Sequence, residues 1–260
     1  MHSDPARDCG ARSAHTQIGT PVIFDILEEF TKIALLIAGL YFAIGAYVAA
    51  KRAKFKVVDR RRLAILVAVV LAVSAIKVSE DAIGGESGPV DQTTLLFIHG
   101  HTPGALTGLF ATATLTGSSH FMVPLASVTT ILLLIAGRRR EALLVAASVI
   151  GGAIVVYVVK MIVGRVRPAL WETDEYWGSS FPSGHTLVVA AFATATLICI
   201  SRIWPAAHRV ALWIALLWIV LVALSRMVLG VHWPTDVLAA ALVGAFLPLA
   251  ISVVLEFRNS

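Results

Sequence analysis

The chain has 260 residues, a net charge of +5 and a mean hydropathy of +0.84. Only 14% of its residues are charged and 58% are hydrophobic, whereas a soluble domain carries about 25% charged residues. An ordinary water-soluble enzyme is excluded, and no motif or aromatic-interleaved basic stripe points to a nucleic-acid partner.

Met1–Thr20 is polar, mixed in charge and lacks the features of a secretory signal peptide, so it reads as a mobile tail. Seven uncharged apolar runs follow: Ile33–Ala50, Leu63–Ile76, Phe121–Gly137, Ala142–Val159, Leu187–Ser201, Val210–Ser225 and Val237–Leu255. Each reaches the roughly 20 residues of a membrane span when extended by a turn into its polar flanks. The expected fold is therefore an all-α integral membrane protein. Ser79–Ser118 holds no Lys or Arg, and Gly84, Gly85, Gly88 and Pro89 break it early. Within it, Gln92–His99 and Leu106–Leu115 read as amphipathic helices lying at the membrane interface. In Ala142–Val159, Gly151 and Gly152 allow a close helix contact.

Basic residues set the orientation. Lys51, Arg52, Lys54, Lys56 and Arg60–Arg62 follow the first run. Arg138–Arg140, then Arg202 and Arg209, then Arg258 follow the third, fifth and seventh. Alternating crossings put these segments on one side, which the positive-inside rule makes cytoplasmic. The N-terminus and Ser79–Ser118 are then expected outside. Cys9 and Cys199 fall on opposite sides, which leaves no disulfide and makes Cys199 a small buried apolar group.

The same topology gathers three polar clusters at the outer face. Lys160 and Arg167 flank the end of the fourth run, Pro182-Ser183-Gly184-His185 precedes the fifth, and Ser225, Arg226, His232 and Asp236 lie between the sixth and seventh. Ionisable groups at a membrane edge are costly and usually functional. Arg167 and Arg226 offer planar forks to phosphoryl oxygens, and Lys160 offers a compact charge. Pro182 suits the first turn of a helix, whose free amides, with Ser183 and Gly184, would meet an anion. Pro234 would open the last helix and place Asp236 four residues from His232, able to hold one ring nitrogen and leave the other as a nucleophile. His185 remains to protonate a leaving oxygen. His99 and His101 read as polar interface residues rather than metal ligands, since no acidic or cysteine cluster accompanies them in sequence.

The pattern Lys160-(six residues)-Arg167-Pro168, Pro182-Ser183-Gly184-His185 and Ser225-Arg226-(five residues)-His232-(three residues)-Asp236 resembles the three-part signature of the type-2 phosphatidic acid phosphatase superfamily. The resemblance covers about Leu63 to Leu255 and implies a six-helix core, with Ile33–Ala50 as an extra N-terminal membrane helix. The domain division it suggests is residues 1–62 for the tail, extra helix and basic loop, and 63–260 for the phosphatase-like membrane domain. It further implies a nucleophile at His232 forming a phosphohistidine, an orienting carboxylate at Asp236 and a leaving-group acid at His185. Phosphate would be held by Lys160, Arg167, Ser183, Gly184 and Arg226, with no metal and no cofactor. The implied partners are the bilayer and a phospholipid or isoprenoid-phosphate substrate in a multi-pass inner (cell) membrane, with the site facing the periplasm. Undecaprenyl pyrophosphate, phosphatidylglycerol phosphate, phosphatidic acid and lipid A phosphates are the expected substrate types, and transfer to a lipid acceptor is the alternative to hydrolysis. Arg165 lies outside the signature and reads as a surface or structural residue. Glu172, Asp174 and Glu175 read as outer-surface charges.

Overall fold

The structure, a computed structural model, describes Gly39 and residues 56–171 and 178–257. Helix α1, Lys56–Gly84, stops where Gly85 adopts a φ of 83°. That left-handed conformation is open to glycine and costs other residues about 1–2 kcal/mol. Helix α2, Gly88–His101, begins with Pro89 in its first turn, where a missing N–H is harmless. A 3-10 turn, Gly104–Leu106, leads to α3, Thr107–Leu115, and α4, Ser119–Ile135. Then come α5, Arg139–Val163, α6, Gly184–Ile203, α7, His208–Val228, and α8, Pro234–Phe257.

Six of the seven apolar runs thus fold as helices. The run Ile33–Ala50, the tail before it, Cys9 and the acidic residues of 172–177 lie outside the described residues, Gly39 apart. Among the described residues, five helices are long and apolar enough to cross a membrane. A sixth span results if Gly104–Leu115 and Ser119–Ile135, bent by 47° at their junction, cross as one. The helix expected at Leu106–Leu115 is present as the 3-10 turn and α3, too short to cross by itself. Thr114 and Thr116 engage Arg226 and Trp218 of α7, which draws this segment against the bundle.

Helix α6 is the centre of the bundle and packs against α5, α7 and α8. Val189, Phe192 and Ala195 on α6 meet Met122, Leu144, Val145 and Val222 in one buried cluster, and Phe192 sets its ring edge-on to Trp218. Ile135, Ile162, Trp213 and Leu217 point outward and are exposed, the arrangement a hydrocarbon solvent requires. The chain is an integral membrane protein.

Helices α6 and α8 run parallel. Their starts are joined by Ser183 N–H donating to Asp236 O at 3.3 Å. Their ends are joined by Arg202 Nη2, which donates to Ser252 Oγ at 2.7 Å and Glu256 Oε1 at 2.6 Å. The Cys199 Sγ contact with Glu141 O at 3.8 Å brings the start of α5, with Arg138–Arg140, to that same end. Among the described residues, the basic turns with Arg138–Arg140 and Arg202 therefore lie at the opposite end of the bundle from His232.

Small residues make the parallel pairing close. A Cβ on Gly244 would lie 2.4 Å from Leu187 O and 2.7 Å from Ala190 Cβ. Gly152 also packs on Leu187, whereas Gly151 faces open space and takes no part in the contact. Since the obstruction at Gly244 is backbone, α6 and α8 must separate to admit a methyl group. Gly244→Ala is expected to destabilise the bundle by about 1–3 kcal/mol, seen as a lower unfolding temperature in detergent, with Gly151→Ala as the tolerated control.

Candidate active site

Local sequence builds the first half of the site at the start of α8. Pro234 opens the helix, and Asp236, two residues later, turns its carboxylate back so that Oδ2 accepts the Trp233 N–H at 2.9 Å. This is one half of a capping box, and it places a negative charge at the positive end of the helix dipole. Asp236 Oδ2 also lies 3.6 Å from His232 Nδ1. That is longer than a hydrogen bond but orients Nδ1 toward the carboxylate and leaves Nε2 as the other ring nitrogen. His232 is reached through Gly230, whose φ of 68° ends α7. The Trp171 ring lies against Gly230, so that a Cβ there would stand 2.6 Å from it.

The start of α6 lies beside this turn. Ser183 caps the helix in an extended conformation, and Gly184 is the first helical residue. Pro182 is thus placed before the cap, not in the first turn as expected, because Ser183 occupies the cap position. The Ser183 hydroxyl is within 3.0 Å of Thr186 Oγ1 and does not cap a backbone amide. The first amides of α6 have no acceptor in their own helix. His185 packs against the break between α3 and α4, where a Cβ on Gly117 would lie 3.0 Å from His185 Cβ.

Three cations converge on these two helix starts. Lys160, in the last turn of α5, donates from Nζ to Ser179 O at 2.7 Å. Arg167 Nη2 donates to the same carbonyl at 3.4 Å, and its Nη1 donates to Val231 O at 2.8 Å, next to His232. Arg226, 1% exposed, donates from Nη1 to Thr114 Oγ1 at 2.6 Å. Lys160, Arg167 and Arg226 lie close enough to act electrostatically on His185. The candidate residues Lys160, Arg167, Ser183, Gly184, His185, Arg226, His232 and Asp236 therefore share one end of the bundle. Ser225 differs, since its hydroxyl donates to Val222 O at 2.7 Å. His99 stacks on Trp171 and His101 on Phe97. Among the described residues no His, Cys, Asp and Glu group has the arrangement to hold a metal ion.

Arg165 is the main residue that sequence reading underrated. Its Nη1 donates to Asp236 Oδ1 at 2.5 Å and Thr235 Oγ1 at 2.9 Å, and its Nη2 donates to Asp91 Oδ2 at 2.7 Å. Its side chain is 14% exposed and both carboxylates are fully buried. Asp91 is the second omission. It is one of four acids, with Glu80, Asp81 and Glu86, in a segment devoid of Lys and Arg, and its partners lie 74 and 144 residues away.

Burial dominates the titration of His232 and lowers its pKa from 6.5 to about 4. The neighbouring Asp236 works in the opposite direction, and Arg226 and Arg167 add to the lowering. The ring is neutral at physiological pH, as a nitrogen nucleophile must be. The geometry offers such a nucleophile beside a cluster of fixed positive charge and two helix starts, an arrangement suited to an oxyanion with a transferable centre.

Comparison with known proteins shows what the chain is similar to. Residues 141–260 match the PAP2 superfamily. Phosphatidylglycerophosphatase B of Escherichia coli is 39% identical over 73 residues, 28% of this chain and 27% of that protein. An undecaprenyl-diphosphatase of Sulfolobus acidocaldarius is 35% identical over 97 residues, 35% of this chain and 43% of that protein. The chain thus spans less than half the length of these curated relatives. The crystal structure of a transmembrane PAP2-type phosphatidylglycerolphosphate phosphatase from Bacillus subtilis superposes with a TM-score of 0.66 at 22% identity. It covers 74% of this chain and 96% of that one, a likeness of fold.

The lowered His232 pKa has a worked sign. Between pH 4 and 6.5 the unfolded chain holds a proton on this residue that the folded chain does not, so its contribution to stability falls as pH drops from 6.5 toward 4. In an NMR titration of the detergent-solubilised protein, His232 is expected to remain neutral at about pH 5.5, where a free histidine is mostly protonated. A midpoint near the free value would contradict the burial argument.

Proposed function

We propose that the chain is a lipid phosphate or lipid pyrophosphate phosphatase of the PAP2 type, working through a phosphohistidine at His232; the match of residues 141–260 to the PAP2 superfamily supports this reading. One observation carries the reading. A buried, neutral imidazole is set between the Asp236 carboxylate and the cations Lys160, Arg167 and Arg226, beside the starts of α6 and α8.

In the first step His232 Nε2 attacks phosphorus and the bond from phosphorus to the lipid oxygen breaks. His185 gives its proton to that leaving oxygen. Asp236 stabilises the positive charge that develops on the imidazole and keeps the proton on Nδ1. Lys160, Arg167 and Arg226, with Ser183 and the first amides of α6 including Gly184, neutralise the equatorial oxygens of the transferring group. In the second step water attacks the phosphohistidine, passes a proton to His185, and inorganic phosphate leaves. The fixed cations supply the charge neutralisation that a divalent ion provides in other phosphoryl-transfer enzymes, so the reaction needs no metal.

The position of the site supports a substrate drawn from the bilayer. It lies at the end of the bundle opposite the basic turns, which by the positive-inside rule is the periplasmic side. The relatives' names point to phosphatidylglycerol phosphate and undecaprenyl diphosphate, and phosphatidic acid shares their reacting group.

A phosphate-release panel over these three lipids, using purified protein in detergent, is the direct test. His232→Ala is expected to lose about 10,000-fold in turnover, and full activity in that variant would refute the nucleophile assignment. In the same assay, EDTA is expected to leave the rate unchanged; loss restored by magnesium would refute the metal-free mechanism. Vanadate, which mimics the five-coordinate transition state, is expected to inhibit.

A further inference from the structure

The contacts of Asp91 exceed what a helix-surface acid in a polar loop would make. Its side chain is fully buried. Oδ2 accepts from Arg165 Nη2 at 2.7 Å, Thr235 Oγ1 at 2.7 Å and Ser87 Oγ at 2.9 Å, while Oδ1 accepts the Thr235 backbone N–H at 3.0 Å. Each hydroxyl serves twice with consistent polarity. Thr235 Oγ1 donates to Asp91 and accepts from Arg165 Nη1, and Ser87 Oγ donates to Asp91 and accepts from Arg165 Nη2 at 3.3 Å. Asp91 therefore caps α8 from another helix, at the amide next to Asp236, while sharing the one guanidinium that also holds Asp236.

We infer that Asp91, acting through Arg165 and Thr235, is a positioning residue for Asp236 and hence for the His232 imidazole. The inference rests on the phosphohistidine reading above. Its physical content is a division of charge. Arg165 is bound on one edge by Asp236 Oδ1 and on the other by Asp91 Oδ2. With Asp91 ionised, only part of the guanidinium charge falls on Asp236, whose Oδ2 keeps its strength as an acceptor toward His232 Nδ1. Without that charge, Arg165 pairs with Asp236 alone, and the carboxylate is drawn toward the guanidinium and weakened as a partner for His232. The phosphate-facing cations Lys160, Arg167 and Arg226 donate to other partners and are untouched.

The test uses the full chain in detergent micelles with a short-chain phosphatidic acid as probe. Asp91→Asn is expected to lower kcat about 10-fold, the scale typical of outer-layer partners of a reacting group, with KM changed less than about twofold. In an Asp236→Asn background the same substitution is expected to cost less than about twofold, because its route to the imidazole is already cut. An undiminished kcat in folded Asp91→Asn, a rise in KM alone, or an equal 10-fold loss in the Asp236→Asn background would overturn the inference. Should Asp91→Asn fail to fold, Thr235→Ala is expected to lower kcat several-fold and Thr235→Ser to recover most of it; equal rates for the two would overturn it as well. His232→Ala, measured alongside, separates the two proposals. Activity in that variant removes the nucleophile reading, while an inactive His232→Ala with fully active Asp91→Asn and Thr235→Ala removes this inference alone.

Discussion

A guanidinium held between two buried carboxylates governs this site. Isolated burial of any of the three charges costs several kcal/mol, so the group persists only as a complete and fully hydrogen-bonded set. Arginine suits the role because its planar fork presents separate edges to Asp91 and Asp236, which a lysine ammonium cannot do. The set fixes α2, the segment after α5 and the start of α8 to one another. It acts where helices end and backbone groups need partners, and it supplies one through the Thr235 amide.

The rest of the bundle serves to bring two helix starts side by side. Lipid-exposed helices gain little from the hydrophobic effect on association, so small residues and tight packing carry the contact. Gly244 against the backbone of α6 gives that proximity, and the Ser183 amide on Asp236 O records it at the site. At the far end Arg202, Ser252 and Glu256 close the same pair. Both α6 and α8 consequently direct the positive ends of their dipoles toward one place, where the side-chain cations also collect.

Much of this was legible in the sequence because hydrocarbon imposes a simple code. Uncharged runs such as Leu63–Ile76 and Val210–Ser225 had to be helices, and the basic turns ordered them. The eight candidate residues followed from that order, since alternation alone sends Lys160, His185 and His232 to the same end. Residues whose role depends on distant partners were illegible. Arg165 stands two positions from Arg167, yet Arg167 meets Val231 and Ser179 while Arg165 turns to Asp91 and Asp236. The signature selects Arg167 by its spacing from Lys160 and its following Pro168, but nothing local shows where Arg165 turns. Gly151 and Gly152 posed the same difficulty, because which of two adjacent glycines faces a neighbour depends on helix rotation. The short runs between Ser79 and Ser118 were ambiguous for a related reason: their length allows both a surface helix and half of a bent span.

The long separations within the Asp91 network have a consequence for biogenesis. Asp91 leaves the ribosome well before Arg165, and Thr235 and Asp236 emerge 70 and 71 residues after that arginine. Until α8 has been translated and inserted, Asp91 and Arg165 lack the partners that complete their burial. The last helix thus closes the network and presents Asp236 and the preceding His232 in one event. A chain stalled before α8 therefore carries an incompletely paired ionic cluster, with Asp91 and Arg165 lacking Thr235 and Asp236.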